Sequence, residues 1–460
     1  MALSPIIEEF IEKSPLTVMA QALISRMLDK ETLNQWFDEN ASGQYTRDLL
    51  FSTIFDLMLS VVCKQKQSVC EAYRHSEEEI NVSLTAVYNK LIGISTETSA
   101  NLVKTIAEKC AVIIKNLNGE RPELLEGFRI KMLDGNCIEK THHRLEVLRN
   151  QSPGPLPGKS LVVFSPSLGL VIDVFPCEDG HAQERSLMPK VLRTVEKDDL
   201  WIADRNFCTI NTMLSIADSH AFFLIRQHKQ TPYEEIDQLK YVGKSESGKV
   251  YEQNIVISDS EGHSIEARRI VVKLKSSTRN GDTELTILTN LPKETVNAKR
   301  IAFLYRKRWT IETSFQHLEK NLNSEINALG YPKAALFGFC MALVASNLFE
   351  VIYGSLRGLY GHEEIDENFS TYYATSEMAS IHPGMMIIVP DSDWDSLCKM
   401  QEVDFIIFIL KCADKINLHT YRKNKRGPKK PPPKKINQGE PHVSTYKLLL
   451  ERKKKSMTAH

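Results

Sequence analysis

The sequence lacks the cysteine spacing on which zinc ribbons and disulfide frameworks are built. Its nine cysteines are an odd number, and no two of them form a Cys-x-x-Cys pair. Its first residues, MALSPIIEEFIEKS, are acidic and interrupted by Pro5, so we expect them not to act as a secretory signal, which has a basic start and an apolar core. The longest uncharged stretch, residues 334–349, is shorter than the roughly 20 residues that cross a bilayer, so it predicts a buried core helix. We therefore expect a soluble cytoplasmic protein with reduced thiols and no membrane partner.

Charge is balanced over the whole chain but not along it. Residues 421–460 contain 13 Lys and Arg against 2 Asp and Glu, a net charge of +11, which leaves −11 for the rest of the chain. Clustered cations such as those in RKNKRGPKKPPPKK displace counterions from phosphate backbones and are typical of nucleic-acid contacts. A tail that only keeps the protein in solution is the alternative. The tail therefore suggests DNA as a partner without establishing it.

Hydrophobic periodicity divides the chain into regions of different texture. The first region, 1–122, shows helical spacing throughout and is a candidate for binding DNA ends. Strand and helix patterns alternate over 123–353, which predicts an α/β domain, with a polar β-rich insertion at about 229–291. A helical region at 354–420, a candidate for dimerisation, and the basic tail at 421–460 complete the chain.

The α/β region begins with a segment that alternates apolar and charged residues. In FRIKMLDGN this alternation places Phe128, Ile130, Met132 and Asp134 on one face of a strand that ends at Asp134. A hairpin, two short strands and intervening helices are predicted next, from the segments SLVVFSPSLGLVIDVFP, LWIAD and HAFFLIRQ. After the insertion, one continuous helix is predicted from about Val296 to Asn323.

Three acids occupy positions that suit metal binding. Asp134 and Asp204 each follow a predicted strand, and Glu312 lies in the later helix. Carboxylates held rigidly at strand ends can converge on hard cations, which prefer oxygen ligands. Each acid also has a simpler explanation: a hairpin turn for Asp134-Gly135, a helix N-cap for Asp204, and a surface ion pair with Arg308 for Glu312.

The helix around Glu312 favours the functional explanation. Tyr305, Arg308, Glu312, Gln316 and Glu319 recur at steps of three or four, so they form one polar stripe along a helix. Such a stripe facing the core would form the wall of an active site. Trp309, which lies off the stripe, is expected to pack in the core. His181 and Glu184 are further candidates for lining the site.

This segment resembles the signature of the IS-four group of bacterial insertion-sequence transposases. The signature is Tyr, two residues, Arg, three residues, Glu, six residues, Lys, and Tyr305, Arg308 and Glu312 match it. The position of the signature lysine holds Glu319, and Lys320 follows one residue later. The segments LDGN and IADRNF resemble the first and second aspartate motifs of the same group. The resemblance covers roughly residues 125–350.

The resemblance implies a ribonuclease-H-like catalytic core interrupted by a β-rich insertion. It implies that Asp134, Asp204 and Glu312 are the catalytic residues and bind two Mg²⁺ ions, which Mn²⁺ can replace, without an organic cofactor. The implied reaction is cut-and-paste transposition by strand cleavage and strand transfer. The implied partners are transposon ends and target DNA, held in a synaptic complex by a homodimer in the bacterial cytoplasm, at the nucleoid.

The resemblance also implies DNA contacts near the cleaved end, through Tyr305, Arg308, Lys320 and Arg205. Two other functions remain open at this point. A two-metal ribonuclease-H-like nuclease would need the same acids but would not join strands. A domesticated transposase would bind DNA without cutting it. The displaced lysine favours that alternative, whereas the three intact acids argue against it.

Overall fold

The computed structural model describes most of the chain: residues 3–41, 48–78, 80–139, 141–278, 281–424 and 442–458. Much of the basic tail, including most of RKNKRGPKKPPPKK, lies outside the described residues. The described part is a mixed α/β structure with one large sheet.

The N-terminal region folds into helices, namely α1 (Pro5–Lys13), α2 (Pro15–Met27), α3 (Lys30–Asn40), α4 (Phe51–Val62), α5 (Val69–His75), α6 (Leu84–Gly93) and α7 (Thr96–Asn116). Several begin where a serine side chain accepts a hydrogen bond from the first turn, as Ser68, Ser83 and Ser95 do for α5, α6 and α7. The apolar face of α7 packs against the sheet and against a long helix described below.

The sheet follows in the sequence, together with the short helices that connect its strands. Its elements are β1 (Arg129–Ile138), α8 (Glu146–Arg149), β2 (Gly154–Leu156), β3 (Gly158–Ser165), β4 (Leu170–Cys177), α9 (Met188–Leu192), β5 (Asp199–Ala203), α10 (Ile210–Asp218), β6 (Phe222–Arg226), β7 (Glu234–Glu235), β8 (Lys240–Lys244), β9 (Gly248–Ser258), β10 (Ser264–Leu274) and β11 (Glu284–Thr289). Except for β2, these strands form one sheet in the order β4-β3-β1-β5-β6-β11-β10-β9-β7, with β8 also paired to β9. The pairs β1–β5 and β5–β6 are parallel, and the other pairs are antiparallel.

The strands from β7 to β11 lie between residues 229 and 291 and extend the sheet on its β6 side. Their antiparallel pairing is continuous from β9 through β10 and β11 to β6. One face of these strands packs through Val250, Ile270 and Ile287 into the main hydrophobic core. The helix α11 (Ala298–Arg306) covers this part of the sheet and contacts β6, β8, β9 and β10.

The core helix is α13 (Pro332–Tyr360). Its buried Asn347 bonds both backbone groups of Val171 on β4, accepting from the N–H at 2.9 Å and donating to the carbonyl at 2.8 Å. Among the described residues this helix alone is long and apolar enough to cross a membrane, and 83% of its most apolar window is buried inside the protein. Burial of this kind is typical of a core helix, as residues 334–349 predicted.

The remaining elements are α12 (Trp309–Asn321), which precedes the core helix, and α14 (His362–Asn368), α15 (Thr371–Ile388), α16 (Asp391–Cys398), α17 (Glu402–Asp414), β12 (His442–Ser444) and α18 (Thr445–Thr458), which follow it. The helices α15, α16 and α17 pack on α2, so the C-terminal helices join the N-terminal ones. Near the end of the chain, β12 pairs in parallel with β2.

Candidate active site

Asp134 and Asp204 lie side by side on neighbouring parallel strands. Leu133 of β1 is paired with Ala203 of β5, and each aspartate is the next residue along its strand direction. The two aspartates are therefore at the same level of the sheet, on backbones that are about 4.8 Å apart, the usual distance between neighbouring strands. Met132 and Ile202, two positions before the aspartates, are paired with each other and buried in the main core. Because side chains two positions apart on a strand share a face, both aspartates lie on the face of the sheet that this core covers.

The expectation that Asp134 ends its strand is wrong. The strand β1 continues to Ile138, and Asp134 is paired with Val162 of β3. The hairpin-turn explanation for Asp134-Gly135 is also wrong, because Gly135 is paired with Leu161 in the same ladder. Asp204 does stand at a junction: it directly follows β5 and precedes a 3-10 turn over Arg205–Phe207.

The predicted continuous helix from Val296 to Asn323 is two helices joined by a tight turn. The helix α11 ends at Arg306, and α12 begins at Trp309. Around the turn the N–H of Arg308 bonds the carbonyl of Tyr305 at 3.0 Å, which is three-residue spacing rather than four. The polar stripe therefore does not run along a single helix. It is divided between the end of α11, the turn and α12.

Arg308 connects two of the three acids. Its Nη1 lies 3.2 Å from Oδ2 of Asp134, and its Nη2 lies 2.6 Å from Oε1 of Glu312. The Arg308 side chain is 8% exposed, whereas that of Glu312 is 46% exposed. The guanidinium thus holds a strand carboxylate and a helix carboxylate on opposite sides of one buried charge.

The electrostatics of the site reflect crowded acids. Burial raises the pKa of Asp134 to about 6, the Arg308 charge opposes this rise, and the nearby carboxylates of Glu312 and Asp204 add to it. Burial by itself would lower the pKa of Arg308, but the surrounding Tyr305, Asp134, Asp204 and Glu312 raise it overall. Asp134 is therefore within electrostatic reach of both other acids, and Arg308 is within reach of all three.

Tyr305 connects the third acid to the same group. Its hydroxyl donates a hydrogen bond to Oδ1 of Asp204 at 3.4 Å. The ring is buried, and this burial together with the Asp204 charge raises the pKa of the Tyr305 hydroxyl. The phenol therefore stays a donor that orients the Asp204 carboxylate.

The donor set of this site consists of oxygen atoms, which suits hard divalent cations. Among the described residues no group of three His, Cys, Asp or Glu side chains is close enough to hold a metal ion. The reason is visible in the geometry, because the Arg308 guanidinium stands between Asp134 and Glu312. The charge requirement nevertheless fits a cation, since buried, neighbouring carboxylates already raise the pKa of Asp134.

Of the other two predicted DNA contacts, Arg205 is next to one of the acids, whereas Lys320 is near the far end of α12. Arg205 directly follows Asp204 and lines an open groove described below. Lys320 and Glu319 are both exposed near the end of α12, and the backbone carbonyl of Lys320 accepts a hydrogen bond from Lys64 at 2.6 Å. The helix α12 is regular from Trp309 to Asn321, so no widened turn brings Lys320 into the register of the signature lysine.

The structure also places residues that the signature does not include. Glu184, a candidate from the sequence, lies against Gly135 and accepts a hydrogen bond from the Asn206 amide, so it sits behind Asp134 on β1. Asn206 was missed, although its position two residues after Asp204 was the available signal. Trp309 is 57% exposed, so the expectation that it packs in the core is wrong.

The chain is similar to one protein family and to one curated protein, both described as transposases. Residues 156–348, less than half of the chain, match the family model described as "Transposase DDE domain". This range contains Asp204 and Glu312 and begins after Asp134. A curated protein of Sinorhizobium fredii, named "Putative transposase y4zB", is 28% identical over 174 residues, which are 35% of this chain and 47% of that protein. The chain thus spans about half the length of this relative. Together these likenesses support a transposase of the DDE type.

Proposed function

We propose that this protein cleaves DNA at transposon ends and joins those ends to target DNA, with Asp134, Asp204 and Glu312 as ligands of divalent metal ions. The observation that carries the proposal is the placement of Asp134 and Asp204 at one level of neighbouring parallel strands, with Glu312 tied to Asp134 through Arg308. The family match over Asp204 and Glu312 supports it.

The arrangement of the sheet supports a ribonuclease-H-like core. The antiparallel strands β4, β3 and β1 continue into the parallel strands β5 and β6, with both aspartates near the centre of this set. The strands from β7 to β11 would be the insertion, placed between the second aspartate and the helix that carries the glutamate.

The chemistry of the proposed reaction is in-line phosphoryl transfer. When bound, two Mg²⁺ ions, or Mn²⁺ in their place, would activate a water or a 3′-hydroxyl and stabilise the leaving oxygen. The protein's part is positioning. Arg308 keeps Asp134 and Glu312 near each other before any ion arrives, and Tyr305 fixes the orientation of Asp204.

The proposed DNA contacts use the cations and the hydroxyl around the acids. Tyr305, Arg308 and Arg205 are close enough to the acids to contact phosphates near the cleaved end, and Lys320 would contact DNA farther along α12. The basic tail at 421–460 would add sequence-independent phosphate contacts. We also propose that two copies pair two ends, and that the protein acts at the bacterial nucleoid.

The test is metal-dependent cleavage of a plasmid that carries the DNA flanking this gene. Asp134→Asn, Asp204→Asn and Glu312→Gln should each abolish cleavage while leaving the fold and DNA binding largely intact, because each amide has nearly the shape of the acid but lacks the charge that binds a metal ion. Glu319→Gln is the matched control, since it removes an exposed acid from the same helix. Near wild-type cleavage by any of the three variants would exclude that residue as a ligand.

The products distinguish the alternatives. Joined donor and target DNA identifies a transposase, whereas metal-dependent cleavage without joining identifies a nuclease. Binding without cleavage by the wild-type protein identifies a protein that only binds DNA.

A further inference from the structure

Three lysines lie directly opposite one another on neighbouring strands at one end of the inserted sheet. Lys244 of β8 is paired with Lys249 of β9, and Lys249 is paired with Lys273 of β10. All three are exposed, and within the described part of the chain none of them forms an ion pair. Like charges directly opposite each other destabilise a sheet, so the pairs Lys244–Lys249 and Lys249–Lys273 do not serve folding. On its other side Lys273 lies opposite Glu284 of β11. We call Lys244, Lys249 and Lys273 the lysine row.

An irregularity in β8 maintains the row. The register between β8 and β9 shifts between Tyr241 and Gly243. The φ angle of Gly243 is +127°, which residues other than glycine rarely adopt. This shift brings Lys244 opposite Lys249 instead of one position away. The register shift at Gly243 therefore holds Lys244 opposite Lys249, although the two positive charges repel each other.

Two tyrosines accompany the row. Tyr241 is paired with Tyr251, their ring centroids are 5.5 Å apart, and Tyr241 is 54% exposed. The Nζ of Lys273 lies 5.0 Å from the centroid of the Tyr251 ring. Exposed aromatic rings interleaved with cations are typical of surfaces that follow a nucleic-acid strand.

The row lies at the same edge of the sheet as the candidate active site. Ala203 is paired with Ile225 of β6, so Asp204 is level with the next residue, Arg226. Arg226 is paired with Ile287 of β11, which is paired with Ile270 of β10, so these residues are at the same level of the sheet. Lys273 lies three residues beyond Ile270 in the direction of the β5 carboxyl end, which is about 10 Å at 3.3 Å per residue. Because side chains alternate between the two faces of a strand, this odd offset places the lysine row on the face opposite to Asp204 and Ile270, the face that also carries Arg269. The row begins three strands from β5 and ends five strands away, about 15 to 25 Å at the usual strand spacing.

An open groove of about 920 Å³ lies on this side of the site. Its cations are Arg205, Arg226, Lys229 and Arg269, and Tyr233 lies among them. Arg226 is paired with Asp282 at 2.7 Å. Arg269 is held by neutral partners, the side chains of Gln227 at 3.0 Å and Gln253 at 3.3 Å, and stands 5.4 Å from the Tyr233 ring. Two acids, Asp282 and Glu284, also line the groove, so its four cations exceed its acids by two, and Arg269 is oriented without an acidic partner.

We propose that the groove and the lysine row form one track for the phosphate backbone of DNA that leads away from Asp204 across the inserted strands. This inference rests on the proposed function for the identity of the reaction, but the binding it predicts can be measured separately. Duplex DNA carries one phosphate per about 3.4 Å of axis in each strand, so a track of about 20 Å spans roughly six phosphates. The row would neutralise about three of them.

The experiment measures binding of a linear duplex of about 40 base pairs, longer than the track, over a range of salt concentrations. The triple variant Lys244→Ala, Lys249→Ala, Lys273→Ala should flatten the slope of log affinity against log salt by about 2 to 3, since each lost phosphate contact contributes about 0.9. The matched control is Lys190→Ala, Arg193→Ala, Lys197→Ala. It removes the same charge from exposed positions on the segment that leads into the other end of β5, and its slope should change by less than about 1.

Two further measurements separate a track from a structural role and from the reaction itself. Relief of repulsion should leave the triple lysine variant as stable as the wild type or more stable; a lower melting temperature would identify the lysines as structural and overturn the proposal. An unchanged salt slope, or an equal change in the control, would also overturn it. A wild-type protein that shows the predicted slope difference but no metal-dependent cleavage would refute the proposed function and leave the track in place.

Substitutions of Tyr241 test whether its ring contributes to DNA binding. Tyr241→Ala should weaken binding to the duplex, whereas Tyr241→Phe should not, because the ring rather than the hydroxyl lies beside the track. Unchanged binding by Tyr241→Ala would remove the tyrosine from the proposed surface, and equal loss in both variants would refute the role of the ring.

Discussion

Replacing Arg308 with methionine removes the guanidinium that joins Asp134 to Glu312, and the structure gives the size of the effect. Two unit charges about 4 Å apart interact by roughly 4 kcal/mol at an effective dielectric constant of about 20. Much of this attraction is offset by the desolvation of a side chain that is only 8% exposed. Breaking one member of a buried pair typically costs about 3 to 5 kcal/mol, and the exposure of Glu312 places this case at the lower end, at about 3 kcal/mol.

The assay is denaturant unfolding of Arg308→Met and wild type, first in a chelator and then with excess Mg²⁺. In the chelator the variant should have a free energy of unfolding lower by about 3 kcal/mol, because Asp134 and Glu312 lose their counter-charge. Mg²⁺ at about 100 times its dissociation constant stabilises a folded protein by roughly 2.7 kcal/mol, and it should narrow the gap because the variant no longer has a competing cation at the site.

Arg306→Met is the control for this experiment, since Arg306, the last residue of α11, is far more exposed than Arg308 and pairs with the exposed Glu246. Its loss should change the free energy of unfolding by less than about 1 kcal/mol. Equal stability of Arg308→Met and wild type in the chelator would refute the argument from the buried ion pair. A gap that Mg²⁺ leaves unchanged would instead refute the competition between Arg308 and the ion for Asp134 and Glu312.

Three other predictions concern single positions. Gly358→Ala should destabilise the protein by about 1 to 3 kcal/mol, seen as a lower melting temperature, because its Cβ would overlap the backbone carbonyl of Leu117. Burial lowers the pKa of His382 from 6.5 to about 4, so the folded state favours the neutral ring, and the free energy of unfolding should decrease as the pH falls from about 6.5 to 4. His382→Gln should flatten this decrease, by at most about 3 kcal/mol at 1.4 kcal/mol per pKa unit, and an unchanged pH profile would contradict the assignment. If Lys320 contacts DNA, Lys320→Ala should weaken end binding more than Glu319→Ala does, and the reverse ranking would remove Lys320 from the DNA-binding residues.

The strand that carries Asp134 shows which part of the site could be predicted from sequence. Alternation in FRIKMLDGN correctly predicted a strand with Met132 and Asp134 on one face. The predicted end at Asp134 was wrong because Asp-Gly is a local turn signal, whereas the strand is prolonged by pairing with β3, some twenty residues later in the chain. Local propensity does not report such a partner.

The break between α11 and α12 illustrates the same limit in a helix. The segment YRKRWTIE contains no proline or glycine, so nothing in it predicts that a helix ends at Arg306. In the folded protein Arg308 is held by Asp134, which lies 174 residues earlier, as well as by Glu312. A tertiary ion pair and a turn tightened to three-residue spacing therefore accompany the break, and neither can be inferred from helical periodicity.

The turn between α11 and α12 makes two differently anchored helices direct neighbours in the chain. The first, α11, packs across β6, β8, β9 and β10. The second, α12, contacts β1 and carries Glu312 only four residues from Arg308. Only Lys307 and Arg308 separate the two helices, so the placement of Glu312 beside Asp134 depends on the inserted strands and on β1 being parts of one sheet.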